Sequence, residues 1–248
     1  MTSWRARDAA VTEWLDAGKL DHVALNLNLR DIRRINALLG WTAFTTRGVL
    51  SWMRREPHRQ WTLLDVASGS ADIPISIARA AASSGLSLNV TATDRNPAIC
   101  AIARELGQNT AAFRVELQDA LDLPYVRGQF DIALCTLAMH HFEPDAAVSL
   151  LASMAQVARR IFVYDVVRSR VAYAGVIALT SVTGMSAMTR HDGAASVRRA
   201  YSRTEAQQIA ERAGLRNIHT RVLFPYRLAL AADGVCSEGC SEGGADAL

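Results

Sequence analysis

Lysine is almost missing from this chain of 248 residues: of its 27 basic residues only Lys19 is a lysine, and the arginines are scattered among 24 acidic residues. The resulting net charge of +3 is too small for the basic footprint that holds nucleic acid, so a small-molecule partner is expected and nucleic acid is not. Cysteine is scarce as well. Cys100 and Cys135 stand in apolar contexts, and Cys236 and Cys240 lie near the C-terminus, so no disulfide framework is written here and the latter pair offers too few ligands for a metal. With no secretory signal, a reducing cytoplasm is the expected location. What the chain has in plenty is apolar character: half of its residues are hydrophobic, ample for one large core and incompatible with global disorder.

Glycine is sparse where it is most informative. Leu63 to Arg79 reads L-L-D-V-A-S-G-S-A-D-I-P-I-S-I-A-R, an apolar strand, a loop of small residues and a helix whose apolar positions recur at Ile73, Ile77 and Ala80. Asp72 is placed to cap that helix, and Pro74 suits its first turn. Ala67, Ser68, Gly69, Ser70 and Ala71 carry so little side chain that a ligand can approach the backbone closely. The single glycine departs from the G-x-G-x-x-G that the pyrophosphate of a nicotinamide cofactor requires, so a ligand without phosphates fits better.

D-V-A-S-G-S-A-D resembles motif I of the class I S-adenosylmethionine (SAM) methyltransferases, usually D-x-G-x-G-x-G, with Ala67 and Ala71 where glycine is commoner. The resemblance implies SAM as cofactor, with Asp65, Ala67, Gly69 and Ala71 in its cradle. Alternation from Leu88 to Ala92 ends at Asp94, an acid at the end of a second strand, where a carboxylate accepts from both ribose hydroxyls; Arg95 lies beside it. Asn96 and Pro97 open a helix ending at Gly107. A third strand, Phe113 to Leu117, precedes Asp119 and Ala120, which by resemblance face the adenine. Phe130 to Cys135 reads as a fourth strand, with Cys135, Thr136 and Leu137 expected at the methyl-donor site.

His140-His141 is similar to the pair that follows this strand in methyltransferases of the ubiquinone and menaquinone pathways. Glu143-Pro144-Asp145 begins a helix whose C-terminal Arg159 and Arg160 suit its dipole. Ile161 to Val167 reads as a fifth strand, ending near Asp165. Val171 to Met188 is uncharged over eighteen residues, the lower limit for a membrane span, but its threonines, serines and glycine make a poor one. It reads instead as an apolar wall of the substrate cavity, followed by a polar turn at Thr189-Arg190-His191-Asp192-Gly193. Ser202-x-x-Glu205 is a capping box, and His219 to Phe224 and Tyr226 to Leu230 read as a closing strand pair.

The expected architecture is α/β: a Rossmann-like, doubly wound, seven-stranded sheet with an antiparallel C-terminal pair. Residues 1–60 form an N-terminal helical lid, patterned as helices over Ser3–Ala17, Asp21–Leu39 and Trp41–Arg55. Residues 61–232 form the SAM-binding core, with a helical insertion at about 168–200, and 233–248 a disordered tail. The expected reaction is O-methylation of a small aromatic or polyketide-like acceptor, as in small bacterial enzymes that modify aromatic natural products. C-methylation of a quinone-type ring and a non-catalytic SAM-binding module are the alternatives. His140, His141 and His191 are the candidate bases for a phenol. No metal is expected, because only Asp165 among the acids after the fourth and fifth strands is placed for one. A homodimer is left open.

Overall fold

A computed structural model describes residues 4, 6–16 and 21–234. Cys236, Cys240 and the expected tail from 235 onward lie outside the described residues.

Two helices come first, α1 (His22–Leu38) and α2 (Trp41–Met53), divided at Gly40, whose left-handed backbone (φ 70°) lets the chain turn sharply. Strands and helices then alternate through β1 (Gln60–Val66), α3 (Asp72–Ser83), β2 (Ser87–Asp94), α4 (Pro97–Gly107), β3 (Phe113–Leu117), β4 (Phe130–Thr136), α5 (Pro144–Val157) and β5 (Ala158–Val166). Two helices, α6 (Arg170–Val182) and α7 (Ala187–Arg199), precede α8 (Arg203–Arg212), β6 (Arg216–Leu223) and β7 (Arg227–Asp233). The sheet order is β3-β2-β1-β4-β5-β7-β6, parallel from β3 through β5, with β7 antiparallel to both of its neighbours. The order reverses between β1 and β4, which opens a crevice at the carboxyl ends of those strands.

Strand periodicity sorts the core into two layers. Leu63, Ile132, Leu134, Phe162 and Tyr164 face α2 and α3, where Ile73, Ile77 and Met53 cover them. Their neighbours Leu64, Ala133, Cys135, Ile161 and Val163 face the opposite way, toward Leu150, Met154 and Ile209 of α5 and α8.

Several local expectations change. The described residues of 6–16 form turns rather than a helix, held by contacts to α7 described below. Ala71, in the left-handed region at φ 57°, is the residue before α3, which makes Asp72 the first helical residue rather than the cap. Arg159 and Arg160 belong to β5, where Arg160 pairs with Asp233 of β7. The run Val171–Met188 breaks at Thr183 and Gly184 into two helices, and no described helix is long and apolar enough to cross a membrane. Thr189–Gly193 lies inside α7, because Ser186 caps that helix ahead of it, its hydroxyl accepting from the Thr189 N–H at 3.1 Å. The Asn96 cap and the Ser202–Glu205 capping box form as read.

Candidate active site

A cavity of about 450 Å³ fills the crevice between β1 and β4. Its floor is the β1–α3 loop, where Ala67, Gly69 and Ala71 all have positive φ (54°, 56° and 57°), so every second residue is left-handed. This alternation folds the loop tightly, with the Ser68 N–H donating to the Thr93 carbonyl at 2.8 Å and the Ala71 N–H to the Ser68 carbonyl at 3.0 Å. A Cβ built on Gly69 would meet no protein atom within 4 Å. Asp94 Oδ2 accepts from the Gly69 N–H at 3.0 Å and Oδ1 from the Asn96 N–H at 2.9 Å, so the end of β2 braces the loop.

Asp65, Ala67, Gly69, Asp94, Arg95, Asp119, Ala120 and Thr136 line this cavity. Ala71 and Cys135 do not. Ala71 is fully buried against Ile75, Ala92 and Cys100, and Cys135, one residue out of phase with Thr136 on the same strand, points into the layer under α5. A strand directs alternate side chains to opposite faces, so Cys135 and Thr136 cannot both face the ligand.

The walls fit SAM. Asp65 Oδ1 and Thr136 Oγ1 are buried at the cavity wall without a hydrogen-bond partner, a costly state that a ligand with donors relieves. Burial pushes the Asp65 carboxyl up to about 7; the Ser68 hydroxyl, donating to it, offsets part of this and the nearby Asp72 and Asp94 add to it. A carboxylate so placed favours a cation, and SAM carries both an ammonium and a sulfonium group.

A second cavity, about 120 Å³, adjoins the first and shares Leu15, Ile32, Asn36, Leu137 and His141 with it. Its walls come from α1, α6 and α7, among them Ile35, Val176, Leu179 and Val197. One end is polar. There the β4 exit, a 3-10 turn at Met139–His141, presents both histidines, their ring centroids 4.4 Å apart.

His140 is buried. Its Nδ1 lies 2.7 Å from Asp165 Oδ1, and its backbone N–H donates to Asp165 Oδ2 at 3.0 Å. Burial alone would lower its pKa; the charges of Asp165 and Glu13 outweigh that and carry it up to about 10. A ring whose pKa is raised in this way is a poor base at neutral pH while only protein surrounds it. His141 Nδ1 lies 2.8 Å from Asp16 Oδ2, and the ring faces both cavities. His191 is not brought to the site: it stacks on Trp14 at 4.4 Å, pairs with Asp192 at 3.0 Å, and lines neither cavity. The helix that absorbs Thr189–Gly193 turns Asp192 and Gly193 inward, which leaves the intervening face to His191.

Sequence reasoning missed the residues that build this end. Glu13 is 3% exposed, its Oε1 3.5 Å from His140 Nε2 and its Oε2 3.7 Å from His141 Nε2. Asp192 fixes the N-terminal segment by accepting from the Trp14 and Leu15 N–H groups at 2.7 and 3.2 Å. Arg199 donates to the carbonyls of His140, His141 and Val11 at 3.3, 2.7 and 3.0 Å, and Arg7 to those of His140, Phe142 and Arg199 at 3.1, 3.2 and 2.8 Å. Residues up to 192 positions apart in sequence meet here, Arg7 and Arg199 among them, and the Ser196 hydroxyl donates to Glu13 Oε1 at 3.0 Å. Nothing in the local patterns of either segment announces the other.

Residues 63–160 match a sequence profile described as a methyltransferase domain. No curated protein matches the chain. Among solved structures the fold is similar to that of a SAM-dependent methyltransferase from Aquifex aeolicus, at 16% identity over 88% of this chain and 100% of that one, with a TM-score of 0.62. It is similar to a plantazolicin methyltransferase solved with a triazolic analogue and S-adenosylhomocysteine, at 13% identity over 81% and 88% of the two chains, TM-score 0.61. It is also similar to the magnesium protoporphyrin IX methyltransferase of Synechocystis PCC 6803, at 18% identity over 88% and 90%, TM-score 0.55.

Proposed function

We propose that this class I SAM-dependent methyltransferase methylates a hydroxyl of a small aromatic or polyketide-like acceptor held in the smaller cavity. SAM is its cofactor, and when bound supplies a methyl group already activated by the sulfonium. The work left to the chain is to align the acceptor, to exclude water and to receive a proton. The observation that carries the reading is the smaller cavity itself. Its walls are mainly apolar, its ionisable lining is Glu13, His140, His141 and Asp192, and it adjoins the cofactor cavity at Leu137 and His141.

The space suits one ring, since an engineered apolar cavity of about 150 Å³ takes up benzene. Leu137 and Ile32 border both cavities and hold an acceptor against the methyl donor. A phenol oriented this way turns its hydroxyl toward His141. The Asp16 carboxylate accepts from Nδ1–H, which leaves Nε2 as the ring nitrogen to accept the hydroxyl proton. The two histidines therefore divide their work: His140 anchors the turn to Asp165, and His141 meets the acceptor. The N-terminal segment, with α6 and α7, closes this side as a lid.

The test is an acceptor screen of the full chain with SAM and single-ring phenols, reading S-adenosylhomocysteine formation and locating the new methyl by NMR. A methyl ether is expected, with turnover of His141→Ala lowered by roughly 10²- to 10⁴-fold while SAM affinity stays intact. A methyl on a ring carbon would establish the C-methylation alternative. SAM binding with no product across the screen would leave a binding module.

A further inference from the structure

We propose that Glu13, His140 and His141 form a site for one divalent transition-metal ion, zinc being the best match, with its fourth position open to the smaller cavity. The ligating atoms of the three side chains lie within 4.8 Å of one another. Glu13 stands 3.5 Å from His140 Nε2 and 3.7 Å from His141 Nε2. Those separations are too long for N–H···O hydrogen bonds, which run about 2.7–3.2 Å. One carboxylate oxygen faces each ring, Oε1 toward His140 and Oε2 toward His141, and each separation is a few tenths of an ångström longer than the edge of about 3.3 Å expected of a tetrahedron whose ligands sit about 2.0–2.1 Å from zinc.

The orientation of the rings points the same way. Carboxylates only accept, so Asp165 and Asp16 place the proton of each ring on Nδ1, at 2.7 and 2.8 Å. Binding of an ion displaces the proton from Nε2, and each ring then directs that lone pair toward the Glu13 carboxylate, so that three ligands converge on one point. A carboxylate behind each histidine is the arrangement that fixes metal-binding imidazoles. The Ser196 hydroxyl holds Glu13 from the far side at 3.0 Å.

Charge adds a third reason. Glu13, Asp16 and Asp165 surround two histidines, while the adjacent guanidinium groups of Arg7 and Arg199 are directed at backbone carbonyls and at Glu143. A divalent ion replaces the proton of His140 as the positive charge where the three ligands meet. Because all three ligands line the smaller cavity, the open position faces an acceptor oxygen. With Nε2 of His141 bound to it, the ion takes over from that nitrogen: it holds the acceptor oxygen as its anion, the proton leaving to water, as zinc does for a bound water. This last consequence rests on the hydroxyl-methylation reading; the ion site does not.

The experiment is calorimetric titration of the full chain, freed of metal by chelator, with Zn²⁺ alone. The parent carries Cys236→Ser and Cys240→Ser so that thiols outside the site contribute nothing. One equivalent binding at micromolar concentration or tighter is expected, with visible absorption typical of a tetrahedral site when Co²⁺ replaces zinc. Glu13→Gln and His141→Ala should each weaken binding at least tenfold, as should Asp16→Asn, which keeps every ligand but removes the carboxylate behind His141. Circular dichroism identifies the variants that fold. No saturable binding by the folded parent up to 100-fold excess Zn²⁺, or binding that Glu13→Gln and His141→Ala leave unchanged, would overturn the site and leave a protonated ion pair in its place. Methyl-ether formation is measured separately with SAM, so a metal-loaded protein that methylates no hydroxyl removes the acceptor reading and leaves the ion site standing.

Discussion

The two ends of the active site are built differently. At the cofactor end, Asp65, Gly69, Asp94 and Asp119 all sit within a few residues of the carboxyl ends of β1, β2 and β3, so each is positioned by its own strand. At the acceptor end, Glu13, His140, His141 and Asp165 come from three distant parts of the chain, and arginines tie them together through backbone carbonyls. A site built strand by strand loses binding when one residue changes. A site built by cross-links loses its shape.

The largest test of that contrast is Gly69→Val. A branched side chain at φ 56° is strained, and it would project into the cavity that the loop opens onto. SAM affinity should fall at least a thousandfold, about 4 kcal/mol, with the circular dichroism spectrum retained. Near-normal affinity by calorimetry would mean that the loop does not cradle the cofactor.

Arg199→Ala probes the other end. Removing the guanidinium of this buried residue strands the Val11 and His141 carbonyls, leaves that of His140 to Arg7 alone, and should cost about 2–4 kcal/mol of stability, seen as a fall in Tm with turnover reduced alongside. A variant with unchanged Tm would show that the acceptor end is not cross-linked as described. Asp94→Ala is smaller in effect, a ten- to hundredfold loss of SAM affinity, about 1.5–3 kcal/mol for bonds to a charged group. Part of that loss comes from releasing the Gly69 amide, so Asp94→Asn, which still accepts at one oxygen, should recover some of it.

Asp65 sharpens the comparison through pH. With its carboxyl at about 7 in the ligand-free protein, a cation binds to the ionised form and must expel a proton when pH is lower. SAM affinity should therefore fall as pH drops below about 7, by up to about tenfold per unit, and Asp65→Asn should flatten the dependence. The sign for folding is fixed by the same shift. A carboxyl raised above its unfolded value binds more protons when folded, so its contribution to stability is present at low pH and is lost as pH rises from about 4 to about 7.

The smallest effect belongs to Ala67→Gly. Left-handed alanine costs about 1–2 kcal/mol, which is largely offset by the extra freedom of glycine in the unfolded chain, about 0.4–1 kcal/mol. Tm should rise by no more than a few degrees. A fall would mean that the Ala67 methyl is packed against something the loop needs.

The cofactor end was legible because its information is local. The switch from period 2 to helical period at Val66, the small residues of the loop and the acid closing β2 all lie within short windows, and their succession pointed to a doubly wound sheet whose strand order the structure supplies. Even there the sequence could not show that Cys135 and Ala71 face the core, since facing depends on which layer each strand side meets. The lid was half legible. Apolar spacing revealed α1 and α2, but the turns of 6–16 are stabilised by Asp192 and Arg199 and not by their own periodicity.

By itself, then, the sequence determined a parallel sheet closed by an antiparallel pair and a cradle for a ligand without phosphates, because backbone preference and hydrophobic period act over a few residues. Only the tertiary structure decided that His191 stands outside the cavities while Glu13 enters, that Asp165 and Glu13 raise the pKa of His140 and that His141 lines both cavities. Those outcomes depend on burial and on the distances between charges, quantities that exist only once residues remote in the chain have been brought together.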